Sequence, residues 1–327
     1  MCETCGCSDD AKATVTDLKT GETIAVPADD QKQHDHDHHH DQGHHDHHHH
    51  DHDDGHVHHH DNGHTHDPDL AHVENSHDGH THDGHSHAHG HDAVPHTHAS
   101  DGRIIRLEQD VLAKNNRLAE RNRGWFAGRN VLALNLVSSP GAGKTTLLER
   151  TIHDLGEEIP LYVIEGDQAT LNDAERIAAT GCRVVQINTG TGCHLEADMV
   201  AHGLQQLDPP MNSVVMIENV GNLVCPALFD LGEHAKVVIT SVTDGDDKPI
   251  KYPHMFRASQ VMILNKIDLL PHVQFDVDRC LDYARQVNPY LTVFQLSATT
   301  GEGLEPWYEW LRRQRQQRPQ LASAIAQ

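Results

Sequence analysis

Beyond residue 103 the hydrophobic positions alternate between two rhythms. Short, nearly unbroken runs of Val, Ile, Leu and Met fall at 131–137, 161–165, 183–187, 213–218, 236–242, 261–265 and 292–296. Stretches with apolar residues at helical spacing separate most of them, at 144–155, 194–207, 276–287 and 303–316. Continuous aliphatic strands between helices predict an α/β fold, a mostly parallel sheet with helices on both faces and ligands at the carboxyl ends of the strands. Ahead of the first strand, "RIIRLEQDVLAKNNRLAERNRGWF" sets Leu107, Val111, Leu112 and Leu118 among charges at helical spacing, which predicts an amphipathic helix.

The first hundred residues carry neither rhythm, and composition explains why. Of 34 histidines, 28 lie between His34 and His98, where large apolar residues are almost absent, and no Lys or Arg occurs from Gln33 to Gly102. Such a tract cannot bury enough surface to offset the entropy of ordering, so disorder is expected. The chain divides into a Cys cluster at 1–8, a polar linker at 9–33, a His/Asp tract at 34–98 and a folded domain at 103–327. Residues 1–102 hold a net charge of −19 out of −24, leaving the domain mildly acidic. No basic stripe suits nucleic acid. The strongest apolar runs are strand-length, too short to span a membrane, and "MCETCGCSDD" lacks the features of a signal peptide, so a cytoplasmic protein is expected.

"SSPGAGKTT" follows one predicted strand and opens a helix, which is the setting of a P-loop. Backbone amides of Gly141, Ala142, Gly143, Lys144, Thr145 and Thr146 are placed to surround phosphates at a helix N-terminus. Lys144 would neutralise the β- and γ-phosphates, and the Thr145 hydroxyl would hold Mg²⁺. Ser138 stands where the GxxxxGK(S/T) pattern has its first glycine. Asp167 in "VIEGDQAT" ends one strand and Glu218 in "MIENVGN" another, suiting them to Mg²⁺ or the attacking water, with Gly221 set for backbone approach to the γ-phosphate. "NKID" supplies Asn265 and Lys266 to hold and cover a base. Asp268 would accept from both N–H groups of guanine's Watson–Crick edge, which adenine does not offer. The Ser297–Ala298 backbone in "LSATTG" would donate to the guanine carbonyl. In this order the motifs predict a GTPase. No arginine finger or catalytic Gln is apparent, so turnover should be slow. Lys248 and Lys251 are further candidates for nucleotide contact.

A nucleotide switch alone has no use for "GTGCHLEAD". Cys193 and His194 should leave the sheet at the same rim as Cys225 in "GNLVCPA", and two thiolates with an imidazole suit Zn²⁺ or Ni²⁺. Cys2, Cys5 and Cys7 in "CETCGC" offer a second metal motif. The imidazoles of the tract could hold on the order of ten borderline ions at two to four ligands each. Cys182 and Cys280 read as small buried hydrophobes.

With "CETCGC", "SSPGAGKTT", "GTGCHLEAD", "ENVGNLVCP", "NKID" and "LSATTG" in one order, the chain resembles the hydrogenase nickel-incorporation GTPases of the HypB type. The resemblance covers 103–327 and the first seven residues. It implies that Lys144, Thr145, Asp167 and Glu218 serve phosphates and Mg²⁺, that Asn265, Lys266 and Asp268 read guanine, and that Cys193, His194 and Cys225 bind metal near a homodimer interface. It further implies GTP-dependent delivery of nickel to a [NiFe]-hydrogenase large-subunit precursor, together with a zinc/nickel partner chaperone. The His tract departs from a minimal delivery protein and suggests storage. A reservoir with a secondary G domain and a urease-type nickel GTPase are the competing readings. The urease type is expected to join its metal residues as Cys-Pro-His, and here "CH" and "CP" are separate.

Overall fold

A computed structural model of the chain describes residues 13–26, 99–168 and 170–317. The Cys cluster and the His tract lie outside the described residues. Strands β1 (Thr14–Asp17), β2 (Thr23–Ala25), β3 (Leu132–Ser138), β4 (Leu161–Asp167), β5 (Arg183–Asn188), β6 (Val214–Glu218), β7 (Ala235–Ser241), β8 (Val261–Asn265) and β9 (Thr292–Gln295) form one sheet in the order β2-β1-β5-β4-β6-β3-β7-β8-β9. From β3 onward every pairing is parallel. The helices are α1 (Ala99–Gly128), α2 (Lys144–Leu155), α3 (Asn172–Ala179), α4 (Ala197–Leu207), α5 (Lys248–Lys251), α6 (Pro253–Ala258), α7 (Val277–Val287) and α8 (Leu304–Gln317). Every residue of β3, β6, β7 and β8 is buried, as expected of aliphatic strands covered on both faces. None of the described helices is long and apolar enough to cross a membrane.

Three expectations are corrected. The segment read as a linker contains β1 and β2, a hairpin that adds antiparallel to β5, with Thr14 opposite Asn188. Its alternation is short but real: Val15 is fully buried and Val26 nearly so, while Thr16 and Thr23 share a hydrogen bond of 3.0 Å on the exposed face. In α1 the leucine and valine stripe is only half-buried where its side chains are described. The buried row is Asn115, Ala119, Asn122 and Phe126, a 4-3-4 spacing that keeps one helix face inward. The two asparagines can be inside because each meets backbone groups of the loops before α4 and β7. Finally, α4 begins at Ala197, so His194 joins Cys193 in the preceding turn.

The far edge of the domain is closed by aromatics. Trp307 and Trp310 on α8 stack with ring centroids 5.3 Å apart, and Phe294 of β9 meets both edge-on. The Trp307 indole N–H donates to Thr151 Oγ1 of α2 at 3.3 Å, so burial does not strand its polar atom. Trp307→Ala should destabilise the domain by about 3–5 kcal/mol, read as a lower midpoint of denaturant unfolding.

Candidate functional site

The loop between β3 and α2 turns on two glycines in the left-handed region, Gly141 at φ 78° and Gly143 at φ 90°. At Gly141 an added Cβ would meet open space, whereas at Gly143 it would lie 2.5 Å from Asn265 Nδ2. That closeness reflects a tie between the phosphate loop and the base loop. Asn265 Nδ2 donates to Ala142 O at 3.0 Å, and Lys266 Nζ donates to Gly141 O at 2.7 Å. Ser138 fits at the unexpected first position because its hydroxyl, though buried, donates to Ser139 O at 2.8 Å.

The loop overlooks a cleft of about 510 Å³ lined by Lys144, Thr145, Thr146, Asp167, Glu218 and Gly221, among others. The predicted phosphate and cation residues therefore converge. Thr145 Oγ1 donates to Glu218 Oε1 at 2.8 Å, and Lys144 Nζ stands 3.5 Å from the same oxygen. Burial pushes the Glu218 carboxyl up, against the pull of Lys144 and Thr145. Asp167 accepts from the Thr170 backbone N–H and hydroxyl at 3.0 and 2.8 Å, which fixes its rotamer at the mouth.

Sequence reading missed Glu165. Parallel register sets it directly beside Glu218, and it is 2% exposed. Burial, followed by repulsion from Glu218, Asp167 and Asp173, pushes its carboxyl up to about 9. Its signal was present, since "EGD" at the end of a strand puts residues 165 and 167 on one face. Buried Oε2 atoms of Glu165 and Glu218 both lack a hydrogen-bond partner among the described residues. Three carboxylates and a hydroxyl near the Lys144 ammonium group are a donor set that fits a hard divalent cation.

At the base end, Lys266 adopts φ 63° and starts the short 3-10 turn Ile267–His272 that carries Asp268. Asp268 Oδ1 is buried without a protein donor among the described residues. The two amides expected to meet a guanine carbonyl have protein acceptors instead. Ser297 N–H donates to Glu302 O at 2.8 Å, and Ala298 N–H donates to Asn265 Oδ1 at 3.1 Å. These bonds seat the "SA" loop against Asn265. Lys248 lies over the Tyr252 ring and Lys251 pairs with Asp247 at 2.7 Å, and neither lines the cleft.

The metal candidates also converge. Ligand atoms of Cys193, His194 and Cys225 all lie within 4.8 Å of one another. The two Sγ atoms are 2.8 Å apart, and Cys193 Sγ is 3.6 Å from His194 Nδ1. Phe229 packs on the imidazole with centroids 3.9 Å apart, and burial pushes His194 down to about 4. A neutral imidazole between thiols is competent to ligate a borderline metal. Cys182 and Cys280 stay outside the cluster, and burial pushes both thiols up to about 12. Cys280 is buried among apolar side chains, whereas Cys182 is half-buried and donates from its thiol to Leu161 O at 3.3 Å.

Comparison with known proteins agrees with this arrangement. Residues 132–295 match the family model described as the CobW/HypB/UreG nucleotide-binding domain. The hydrogenase maturation factor HypB of Escherichia coli is 58% identical over 222 residues, covering 67% of this chain and 77% of that one. Among solved structures, HypB from Archaeoglobus fulgidus superposes with a TM-score of 0.59 at 39% identity, covering 62% of this chain and 99% of that one. HypB from Helicobacter pylori in complex with nickel gives a TM-score of 0.59 at 34% identity, covering 62% and 95%. With a P-loop tied through Asn265 to a second loop, and two thiols and an imidazole beside it, the chain belongs to the HypB hydrogenase maturation factors of the CobW/HypB/UreG P-loop GTPase family.

Proposed function

We propose that the chain is a GTP-hydrolysing nickel metallochaperone that delivers its metal to the large-subunit precursor of a [NiFe]-hydrogenase in the cytoplasm. The observation that carries this reading is the convergence of Cys193, His194 and Cys225 on loops leaving β5 and β6, the strands on either side of β4, whose end lines the nucleotide cleft with that of β6. Nickel is the cargo of that cluster, and zinc suits the same three ligands. In the cleft, Lys144 neutralises the β- and γ-phosphates, the loop amides from Gly141 to Thr146 cradle them, and Gly221 offers its backbone to the γ-phosphate. Thr145, Glu218 and Asp167 would hold Mg²⁺, which supplies charge neutralisation to the leaving phosphates. Asp167 faces the cleft mouth, where it orients the attacking water. Asn265 and Lys266 hold the base loop and Asp268 selects guanine.

Val224 and Leu228, 58% and 56% exposed, flank Cys225 and give the rim an apolar face. That face supports a homodimer whose interface includes the metal cluster, and docking of a zinc/nickel partner chaperone beside it. Cys2, Cys5 and Cys7 would form a second thiolate site. A storage role is favoured by the 28 histidines between His34 and His98. Deleting 34–98 should impair maturation under nickel starvation and be tolerated when nickel is plentiful. Abolition by this deletion under starvation, with Lys144→Ala tolerated, would make the chain chiefly a reservoir.

The reading is tested by nickel-dependent hydrogenase activity in cells carrying Cys193→Ala with Cys225→Ala, paired with GTP turnover of the purified variant. Loss of maturation with turnover within about twofold of wild type is the expected result, since neither thiol reaches the phosphates. Normal maturation would overturn the assignment of the rim cluster as the delivery site.

A further inference from the structure

The two arms that carry the thiols are joined to the nucleotide strand by side-chain amides. Asn219 follows Glu218 directly and is 1% exposed. Its Oδ1 accepts from Leu195 N–H at 3.1 Å and from Val220 N–H at 3.0 Å, and its Nδ2 donates to Asn135 Oδ1 in β3 at 3.2 Å. The residue after His194 is thereby pinned to the residue after Glu218. Three positions on, Asn222 Nδ2 donates to Cys193 O at 3.2 Å while its Oδ1 accepts from Val224 N–H at 2.9 Å. One asparagine thus bridges the carbonyl of one thiol residue to the amide preceding the other. Between the two asparagines, Gly221 packs on Pro140 of the phosphate loop, where an added Cβ would lie 3.3 Å from Pro140 Cγ.

The Cys225 arm has a separate anchor on its far side. Buried Lys236 donates from Nζ to Pro226 O at 2.7 Å and to Phe229 O at 3.3 Å, with Glu233 at 3.8 Å to balance its charge. Glu233 accepts from Asn135 Nδ2 at 3.1 Å, which closes the row back onto Asn219. A fully satisfied network of this kind has few alternative geometries, so displacement at one member is passed on rather than absorbed.

We infer that Asn219 and Asn222 are positioning residues that transmit nucleotide state to the metal cluster, because they clip the Cys193–His194 arm to the segment between Glu218 and Cys225 while Lys236 holds that segment's far end. A γ-phosphate engaging Gly221 shifts residues 219–222 against Pro140. The Cys193–His194 arm moves with them, and Cys225, anchored through Pro226, moves less. Nucleotide exchange therefore changes the separation of the ligands. This inference rests on the GTP-hydrolysing metal delivery proposed above, and deepens it by naming residues that couple its two sites.

The test is nickel affinity of the full chain, by competition with a chromogenic chelator, measured once with GDP and once with a non-hydrolysable GTP analogue. To isolate the cluster, the measurement is made in a background with Cys2, Cys5 and Cys7 replaced by Ser and 34–98 removed, and repeated in the full chain for its GDP-to-GTP difference. Coupling of ordinary size makes the two dissociation constants differ by about tenfold before either asparagine is changed. Asn219→Ala should bring their ratio to within about twofold of one, and Asn222→Ala should cut it by about threefold. Asn222 is partly exposed, so its variant stays folded even if the buried one does not. GTP affinity of Asn222→Ala should stay within about twofold of the parent, a result that separates lost transmission from a damaged cleft. An undiminished ratio in Asn222→Ala overturns the assignment. A ratio of one before any asparagine is changed would show that nucleotide state does not reach the cluster, and overturns this assignment while leaving the delivery reading to its own test.

Discussion

Asp268→Asn should weaken GTP binding by about a thousandfold and raise affinity for xanthosine triphosphate. Two hydrogen bonds from guanine to a carboxylate contribute about 1.5–3 kcal/mol each when the acceptor is charged. Asparagine replaces one acceptor oxygen with an NH₂ group that faces guanine's own amine, so one bond is lost and a donor–donor clash takes its place. Xanthine has a carbonyl at that ring position and keeps the adjacent N–H, which matches the amide's donor and acceptor. Asp268 Oδ1 is buried and takes no donor from the described protein residues, so nothing within the fold compensates for the change. The Ser297 and Ala298 amides are engaged with Glu302 and Asn265, which concentrates discrimination on this one side chain. Displacement of a fluorescent GDP by each triphosphate measures both affinities. Equal loss for the two nucleotides would show that Asp268 supports the loop without reading the base.

Gly143→Ala should lower nucleotide affinity at least about a hundredfold, while Gly141→Ala costs far less. Both glycines sit at positive φ, so alanine at either brings backbone strain of about 1–3 kcal/mol. At Gly141 strain is the whole effect, because an added methyl meets open space. At Gly143 the methyl would stand 2.5 Å from Asn265 Nδ2, the group that donates to Ala142 O. Relief requires Asn265 to withdraw, which breaks the tie between phosphate loop and base loop and releases Ala298 N–H from Asn265 Oδ1. One methyl thus disturbs both ends of the ligand. Titration of each variant with GDP checks the contrast, and similar losses at the two positions would mean that strain alone decides.

The nucleotide loops and the Cys193, His194 and Cys225 set were legible because their residue types are chemically specific and the alternation of strands and helices fixes which rim they occupy. Other features were hidden by physics that pattern reading does not see. The β1–β2 hairpin offers only a few alternating positions, too few to stand out beside a low-complexity tract. Glu165 reads as one more polar residue at a strand end until register sets it against Glu218. In α1 the leucines drew attention, while the buried row holds Asn115 and Asn122. Hydrophobicity cannot identify a buried asparagine, whose burial depends on backbone partners that only the fold supplies. The bonds of Asn219, Asn222 and Lys236 are of the same kind.

The hairpin also has a consequence for distance. Thr14 lies beside Asn188, and Ala25 lies beside Thr14, so the chain enters and leaves the hairpin at the carboxyl rim of the sheet. Cys193 follows Asn188 by five residues, which cannot span more than about 18 Å, and adjacent antiparallel strands add about 5 Å. The seven residues from Cys7 to Thr14 reach about 25 Å when extended, enough to cover that whole distance. His34 follows Val26 by only eight. The edge strands thus act as a mooring, with both chain ends of the hairpin leaving from the rim on which Cys193 follows β5.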